Sequence, residues 1–236
     1  MYNANAIRKY IEAPGAEQYL HMLHGDRITQ MSRWLSNRLL FLDSKYAYNT
    51  DAKKLSFRIT TDDASQVSFT LTTDIHQWVE ILVGNDDLPD SHGIARSKAG
   101  VPVVVAPSYA SGVSLIYAEG YFYNAERIVD FGDFGRNENY TLELLNIADA
   151  PNLLVCNLEQ ATPSTSLTSF TIGNNYELTE LNLRNNAAIT GVLDLSACTK
   201  LSKLDLRGTG ITSVEFPEGG VLEECYLPNT LTSLTL

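Results

Sequence analysis

The sequence predicts a mainly β protein with an N-terminal helical segment, a small antiparallel β-sandwich and then a leucine-rich-repeat β-solenoid. Three observations predict it. Residues 17–46 carry apolar side chains at helical spacing, residues 54–120 alternate with a period of two between turn clusters, and from about Tyr123 an apolar pair flanking one residue returns every 9 to 14 residues. At 236 residues, 44% hydrophobic and 19% charged, the chain can bury more than one core and has a globular composition.

In the first segment (1–50, a helical hairpin) the apolar positions are Tyr19, Leu20, Leu23, Ile28, Met31, Leu35, Leu39 and Leu42. Gly25 interrupts the pattern and Asp26 is placed to cap a second helix, whose polar flank holds Arg27, Arg33 and Arg38. In the second segment (51–122, the sandwich) LSFRIT, SQVSFTLTT, HQWVEILVG, VPVVVAP and GVSLIYAEG read as strands. The clusters TTDDAS, GNDDLPDSHG and APSYASG read as the turns between them.

The third segment (123–236, expected to continue beyond 236) has apolar markers at Leu145, Cys156, Phe170, Leu181, Leu193, Leu204, Val214, Cys225 and Leu234. Two such units make about 22 residues, within the range of one leucine-rich coil. Each marker is followed two residues later by a second apolar residue, from Ile147 to Leu236. Such alternation turns the markers and their partners inward and the residue between them outward, so Leu181, Leu183, Leu204 and Leu206 are expected in the core and Asn182 and Asp205 in solvent. Because the chain stops at Leu236, on an inward position with no polar cap, either further coils or a neighbouring subunit are expected to cover it.

Three cysteines, Cys156, Cys198 and Cys225, fall inside this pattern without a CxxC pair, which predicts small buried hydrophobes in a reducing compartment. Cys156 and Cys225, at marker positions, are expected to point inward. The charge is uneven. Residues 1–50 hold six Lys/Arg against four Asp/Glu and the remainder eleven against twenty-four, that is +2 and −13, which make the net charge of −11. A body this acidic repels phosphate backbones, and no nucleic-acid partner is expected. No apolar run is long enough to span a membrane and the N-terminus has no signal-peptide core.

Chemistry-bearing clusters are few. DFGDFG at 130–135 contains a magnesium-binding tripeptide of protein kinases, but the phosphate loop and catalytic loop of a kinase are missing from the sequence. It reads as a turn into the first coil, with Phe131 and Phe134 capping the open hydrophobic end. His21 and His24 share a helix face without a third ligand. Asp86, Asp87, Asp90 and His92 in GNDDLPDSHG could supply calcium oxygens, yet their spacing is that of a solvated turn. Trp78, Tyr109 and Tyr117 would form a carbohydrate platform if exposed, although in alternating strands they belong to the core. No catalytic residue, cofactor or metal site is predicted, and the chain is not expected to be an enzyme.

The one candidate surface is a row on the solenoid: Glu180, Asn182 and Arg184, then Lys203, Asp205 and Arg207 one coil later, then Glu224 and Tyr226. Such a mixed row either solubilises a face or presents an interaction surface. The solubilising role is favoured.

The stretch NLRNNAAITGVLDLSACTKLSKLDLRGTGITSVEFPEGGVLEECYLP resembles leucine-rich repeats of gut Bacteroidales proteins, and is most similar to those in the large tail proteins of crAss-like phages, the muzzle type included. LPNTLTSLTL is also similar to BspA-like surface repeats. Upstream, RWLSNRLLFLDSKY, SLIYAEGYFYNAERIVDFGDFG and FTIGNNYELTELNLRNN resemble the helix, sandwich and first coil of the same phage proteins. The resemblance implies a virion structural protein of a phage tail, assembled in the host cytoplasm. Its implied partners are other tail proteins and further copies of itself. The alternative is a bacterial surface adhesin that binds through the repeat face, and a glycan or host-surface ligand is left open.

Overall fold

The computed structural model describes residues 53–235 except 76, 77, 86, 87, 124, 133 and 137. The expected helical hairpin, with His21, His24 and its three arginines, lies outside the described residues.

The described chain is mainly β. Its first strands are β1 (Lys54–Thr61), β2 (Phe69–Thr73), β3 (Trp78–Asn85), β4 (Leu88–Arg96), β5 (Val103–Val105) and β6 (Leu115–Tyr123). They continue into β7 (Ile128–Asp130), β8 (Thr141–Asn146), β9 (Val155–Asn157) and β10 (Ser169–Thr171). The last six are β11 (Glu180–Asn182), β12 (Thr190–Asp194), β13 (Lys203–Asp205), β14 (Gly210–Glu215), β15 (Glu224–Tyr226) and β16 (Ser233–Thr235). One sheet has the order β10-β8-β1-β6-β3-β4, a second β15-β13-β11-β9-β7-β2-β5, and a third β12-β14-β16.

The period-two sequence of β1 buries Leu55, Phe57, Ile59 and Thr61 while the residues between them stay partly exposed. Phe57 of β1 and Phe122 of β6, in the first sheet, meet Phe69 of β2, in the second, with ring centroids 5.1 and 5.4 Å from Phe69. Phe134 joins them, 5.2 Å from both Phe57 and Phe69. These tilted and edge-on rings give the two sheets one aromatic core. Phe131 and Phe134 are thus buried where the first coil meets the sheets.

Two turn clusters bind each other. Asp63 Oδ1 accepts from the N–H groups of Ser65 and Gly112, at 3.1 and 3.0 Å, so TTDDAS is pinned to APSYASG. GNDDLPDSHG, however, is not a loop. Asn85 pairs with Leu88 across the two-residue connection 86–87, and Leu88–Arg96 is strand β4, with His92 opposite Leu82. The polar sequence is tolerated because β4 is a sheet edge, where Pro89 and hydrophilic side chains do least harm. Ser91 Oγ fastens this edge to the following segment, donating to Ser108 O at 3.0 Å and accepting from Ser108 N at 2.7 Å.

From β7 onward the pairing becomes parallel. Cys156, Leu181, Leu204 and Cys225 lie in register along β9-β11-β13-β15, and Leu193, Val214 and Leu234 along β12-β14-β16. The markers therefore alternate between two columns and two make a coil. Register partners Val155, Glu180, Lys203 and Glu224 are 25, 23 and 21 residues apart. The result is a β-solenoid of about five turns. No break in pairing falls at residue 122: β8 pairs antiparallel with β1 and parallel with β10, and β7 pairs antiparallel with β2 and parallel with β9. Residues from Lys53 onward form one compact unit.

Leu181, Leu183, Leu204 and Leu206 are fully buried, as expected. Asn182 and Asp205 are half-buried rather than in solvent, because each side chain folds back on its own strand end. Cys156 and Cys198 are buried, but Cys225 is exposed, against expectation. It lies on β15, the edge strand of its sheet among the described residues.

Gly120 gives a sharp test of the aromatic core. A Cβ at this position would stand 2.1 Å from Phe57 Cζ. Gly120→Ala is expected to displace that ring and cost about 1–3 kcal/mol by overpacking, measured by denaturant unfolding. An unchanged midpoint would contradict the packing described.

Candidate functional site

The coils are shaped by two recurring polar devices. The first ends six of the strands. Asn157, Asn182, Asp194 and Asp205 each accept, through Oδ1, the N–H two residues ahead, at 3.2, 3.1, 2.9 and 3.0 Å. Asn146 and Asp130 do the same at the start of the solenoid. This Asx turn rotates the chain out of the strand and toward the corner of the coil. Asp130, the first aspartate of DFGDFG, thereby gives an oxygen to the Gly132 N–H at 2.8 Å.

The second device is the corner residue, three positions beyond the inner apolar residue. Ala150, Asn186, Cys198 and Thr209 donate their N–H to Ile147, Leu183, Leu195 and Leu206 and turn their side chains inward. Asn175 occupies the same place after Ile172, and its side chain donates to Ile147 O and Ala150 O at 2.9 and 2.8 Å. Cys198 is therefore a corner residue. At the residue before the corner, Asn185 has φ +63° and Gly208, one coil later, +73°, the left-handed conformation that these two residue types tolerate best.

The predicted surface row is brought together on the outer face of β11, β13 and β15. Glu180, Lys203 and Glu224 share one register, and Asn182, Asp205 and Tyr226 the next. Arg184 Nη1 lies 3.0 Å from Glu159 Oε1, and Asn182 Nδ2 donates to the other oxygen of Glu159 at 3.2 Å. Lys203 Nζ is 3.6 Å from Glu224 Oε1. Arg207 Nε donates to both oxygens of Asp205, at 3.0 and 3.1 Å, and its guanidinium sits 4.3 Å from the Tyr226 ring centroid. Glu159, which belongs to this row, went unrecognised in the sequence because a longer connection follows β9 and blurs the repeat.

With Glu159 included, the row holds four carboxylates and three cations, so the face is nearly neutral within an acidic chain. Each exposed pair contributes little stability, about 0–1 kcal/mol. Their arrangement satisfies the face from within. Partial burial pushes the Asp205 carboxyl up, but the side chain and N–H of Arg207 outweigh it and hold the group below its ordinary 3.8. Asp194 is likewise lowered, by the hydroxyl and N–H of Ser196.

Beyond this face, the last coil is open. Leu201, Phe216, Leu222, Cys225 and Leu234 line a hollow of about 390 Å³ there, and Leu234 is 42% exposed. Of the other sequence candidates, Tyr109 is half-buried and its hydroxyl donates to Val83 O at 2.8 Å, which makes it a packed residue and not an open platform. The side chains of Trp78, Tyr117, Asp90 and His92, and all of residues 86 and 87, lie outside the described set. Among the described residues, no group of three or more His, Cys, Asp or Glu is arranged to hold a metal ion. No described helix is long and apolar enough to cross a membrane.

What the fold defines is a class, a mainly β chain that ends in a parallel β-solenoid. Comparison with family models, with characterised proteins and with solved structures gives no match.

Two outcomes follow. Burial pushes the Cys198 thiol up to about 12 and raises Cys156 further, while Cys225 is raised less and stands open. A thiol reagent is expected to modify one cysteine per native chain, Cys225, and all three in denaturant, by mass spectrometry. Separately, the lowered carboxyls of Asp194 and Asp205 favour the folded state above their unfolded pKa, and this contribution is lost as pH falls through the folded value, below 3.8. Asp205→Asn should flatten that acid limb in thermal melts while keeping the fold at neutral pH, since Asn makes the same turn at positions 157 and 182.

Proposed function

We propose that this chain is a non-enzymatic scaffold, a structural subunit of a phage tail of the muzzle type, assembled with other tail proteins and with copies of itself. In this proposal residues 51–122 are a small sandwich that seats the coils, and the coils from 123 onward are leucine-rich repeats that carry the assembly outward.

One observation carries the proposal. The lateral row from Glu159 to Tyr226 is paired within itself, whereas the last coil presents Val221, Cys225 and Leu234 to solvent. A lateral row whose charges are met internally favours a scaffold that packs through its apolar groups over side-on recognition. The sequence resemblance supplies the tail assignment.

Mass spectrometry and cryo-electron microscopy of the native source particle test the whole reading. The polypeptide is expected in virions, with the Leu234 face covered by more chain or by a neighbouring subunit. Recovery only from the surface of uninfected cells would establish the adhesin alternative instead. For the isolated chain, sedimentation velocity should show association that rises with concentration and is abolished by Leu234→Asp with Val221→Asp. A wild-type chain that stays monomeric at micromolar concentration would remove end-on stacking.

A further inference from the structure

The hydrogen bonds that join neighbouring coils repeat from coil to coil, and the series has one gap. Where a strand ends, the N–H just beyond it donates to the coil that follows: Ile147 to Thr171, Leu158 to Asn182, Leu183 to Asp205, Leu195 to Glu215, Leu206 to Tyr226 and Phe216 to Thr235, at 2.7–2.9 Å. By the same register Ile172 would donate to Asp194, and among the described residues that bond is missing. The bond that opens a strand, as from Thr168 to Glu143 and from Gly210 to Ile189, is also missing between β12 and the coil of β10. The first column runs unbroken through β9, β11, β13 and β15, whereas the second stops at β10 and starts again at β12. Burial records the same break. Phe170 and Ile172, at inward positions in the middle of the array, are only partly buried, while Leu145 and Ile147 before them and Leu193 and Leu195 after them are sealed.

The cause lies in the chain between β9 and β10. Residues 158–168 make a link of eleven residues there, where 183–189 between β11 and β12 make one of seven. The longer link first pairs with the later coil: the Ser164 N–H donates to Asn185 O at 2.7 Å, and Ser164 O accepts from the Ala187 N–H at 2.8 Å. By Thr168 it has returned to the earlier coil, where the N–H donates to Glu143 O at 2.9 Å. β10 is thereby left paired with β8 alone. Across the break, Gly191 at φ +86° and the irregular register beside it shape β12 to β14.

In a stacked array each coil is held by its neighbours, so cooperativity ends at the weakest interface. Two hydrogen-bonded bodies meet at this one. They are joined by the β9–β11 ladder, by the link at Ser164 and by Asn186 Nδ2, which donates to Leu158 O at 2.8 Å. All of these lie away from the facing edges of β10 and β12. We propose that the solenoid is hinged at this seam, with the coils from β11 onward swinging as one body about the β9–β11 ladder and opening the second column between β10 and β12. The proposal is independent of the tail assignment.

The test is NMR of the full chain, deuterated, labelled with nitrogen-15 and weakly aligned. Residual dipolar couplings of the N–H groups are fitted separately for β1, β3, β6 and β8 and for β11–β14. The two sets are expected to need alignment tensors of unequal magnitude, because swinging averages one body relative to the other. In hydrogen exchange, the Ile172 N–H is expected to exchange at least about a hundredfold faster than those of Ile147 and Leu195. One tensor that fits both sets, or two of equal magnitude, overturns the hinge. An Ile172 N–H as protected as its counterparts overturns it too.

Discussion

Two strands at the start of the solenoid, β8 and β7, are each paired two ways. β8 has the antiparallel β1 on one edge and the parallel β10 on the other, and β7 stands likewise between β2 and β9. A parallel coil cannot begin alone, because its first strand would leave one edge of backbone N–H and C=O groups unpaired and one apolar end open. Here the two-sheet layer occupies both positions, and the ring cluster of Phe57, Phe69, Phe122 and Phe134 seals the gap between them. The coils depend on this junction for both register and cover. That explains why the antiparallel and parallel halves share one hydrophobic core.

Once started, the coils are propagated by side chains that replace backbone partners. An Asx oxygen ends the strand and an inward residue makes the corner, and where the corner is an asparagine its amide reaches across to carbonyls of the neighbouring coil. Buried amides of this kind are favourable only when fully partnered. Asn175 meets that condition and Asn186 does not, and the difference traces to one residue in each coil, Thr171 against Asn182.

Periodicity made much of this legible in the sequence. The apolar pair around each marker, the two-units-per-coil spacing and the register of Glu180 with Lys203 and Glu224 all follow from alternation, because a strand that buries one face leaves no freedom in which side chains turn inward. Strand β4 was hidden because an edge strand carrying Pro89, Asp90 and Ser91 has the composition of a turn. Asn182 and Asp205 were misplaced for a different reason. Alternation assigns them a direction, yet it is their local hydrogen bond to the chain two residues on that decides how far they extend. Cys225 shows the limit of a periodic argument, which treats every coil as an interior one.

Burial along each column makes that limit physical. Cys156, Leu181 and Leu204 are sealed and Cys225 is open, and Leu193 and Val214 are sealed while Leu234 is 42% exposed. The same inward-facing pattern therefore has opposite consequences at the two ends of the array. Against the antiparallel layer it is satisfied by aromatic rings, whereas on β15 and β16 Cys225 and Leu234 are exposed. On the lateral face, Arg184 with Glu159 and Lys203 with Glu224 pair between successive coils. The coils are therefore bounded at their start by the fold's own antiparallel layer, and burial is complete where that layer or a neighbouring coil covers the inward residues.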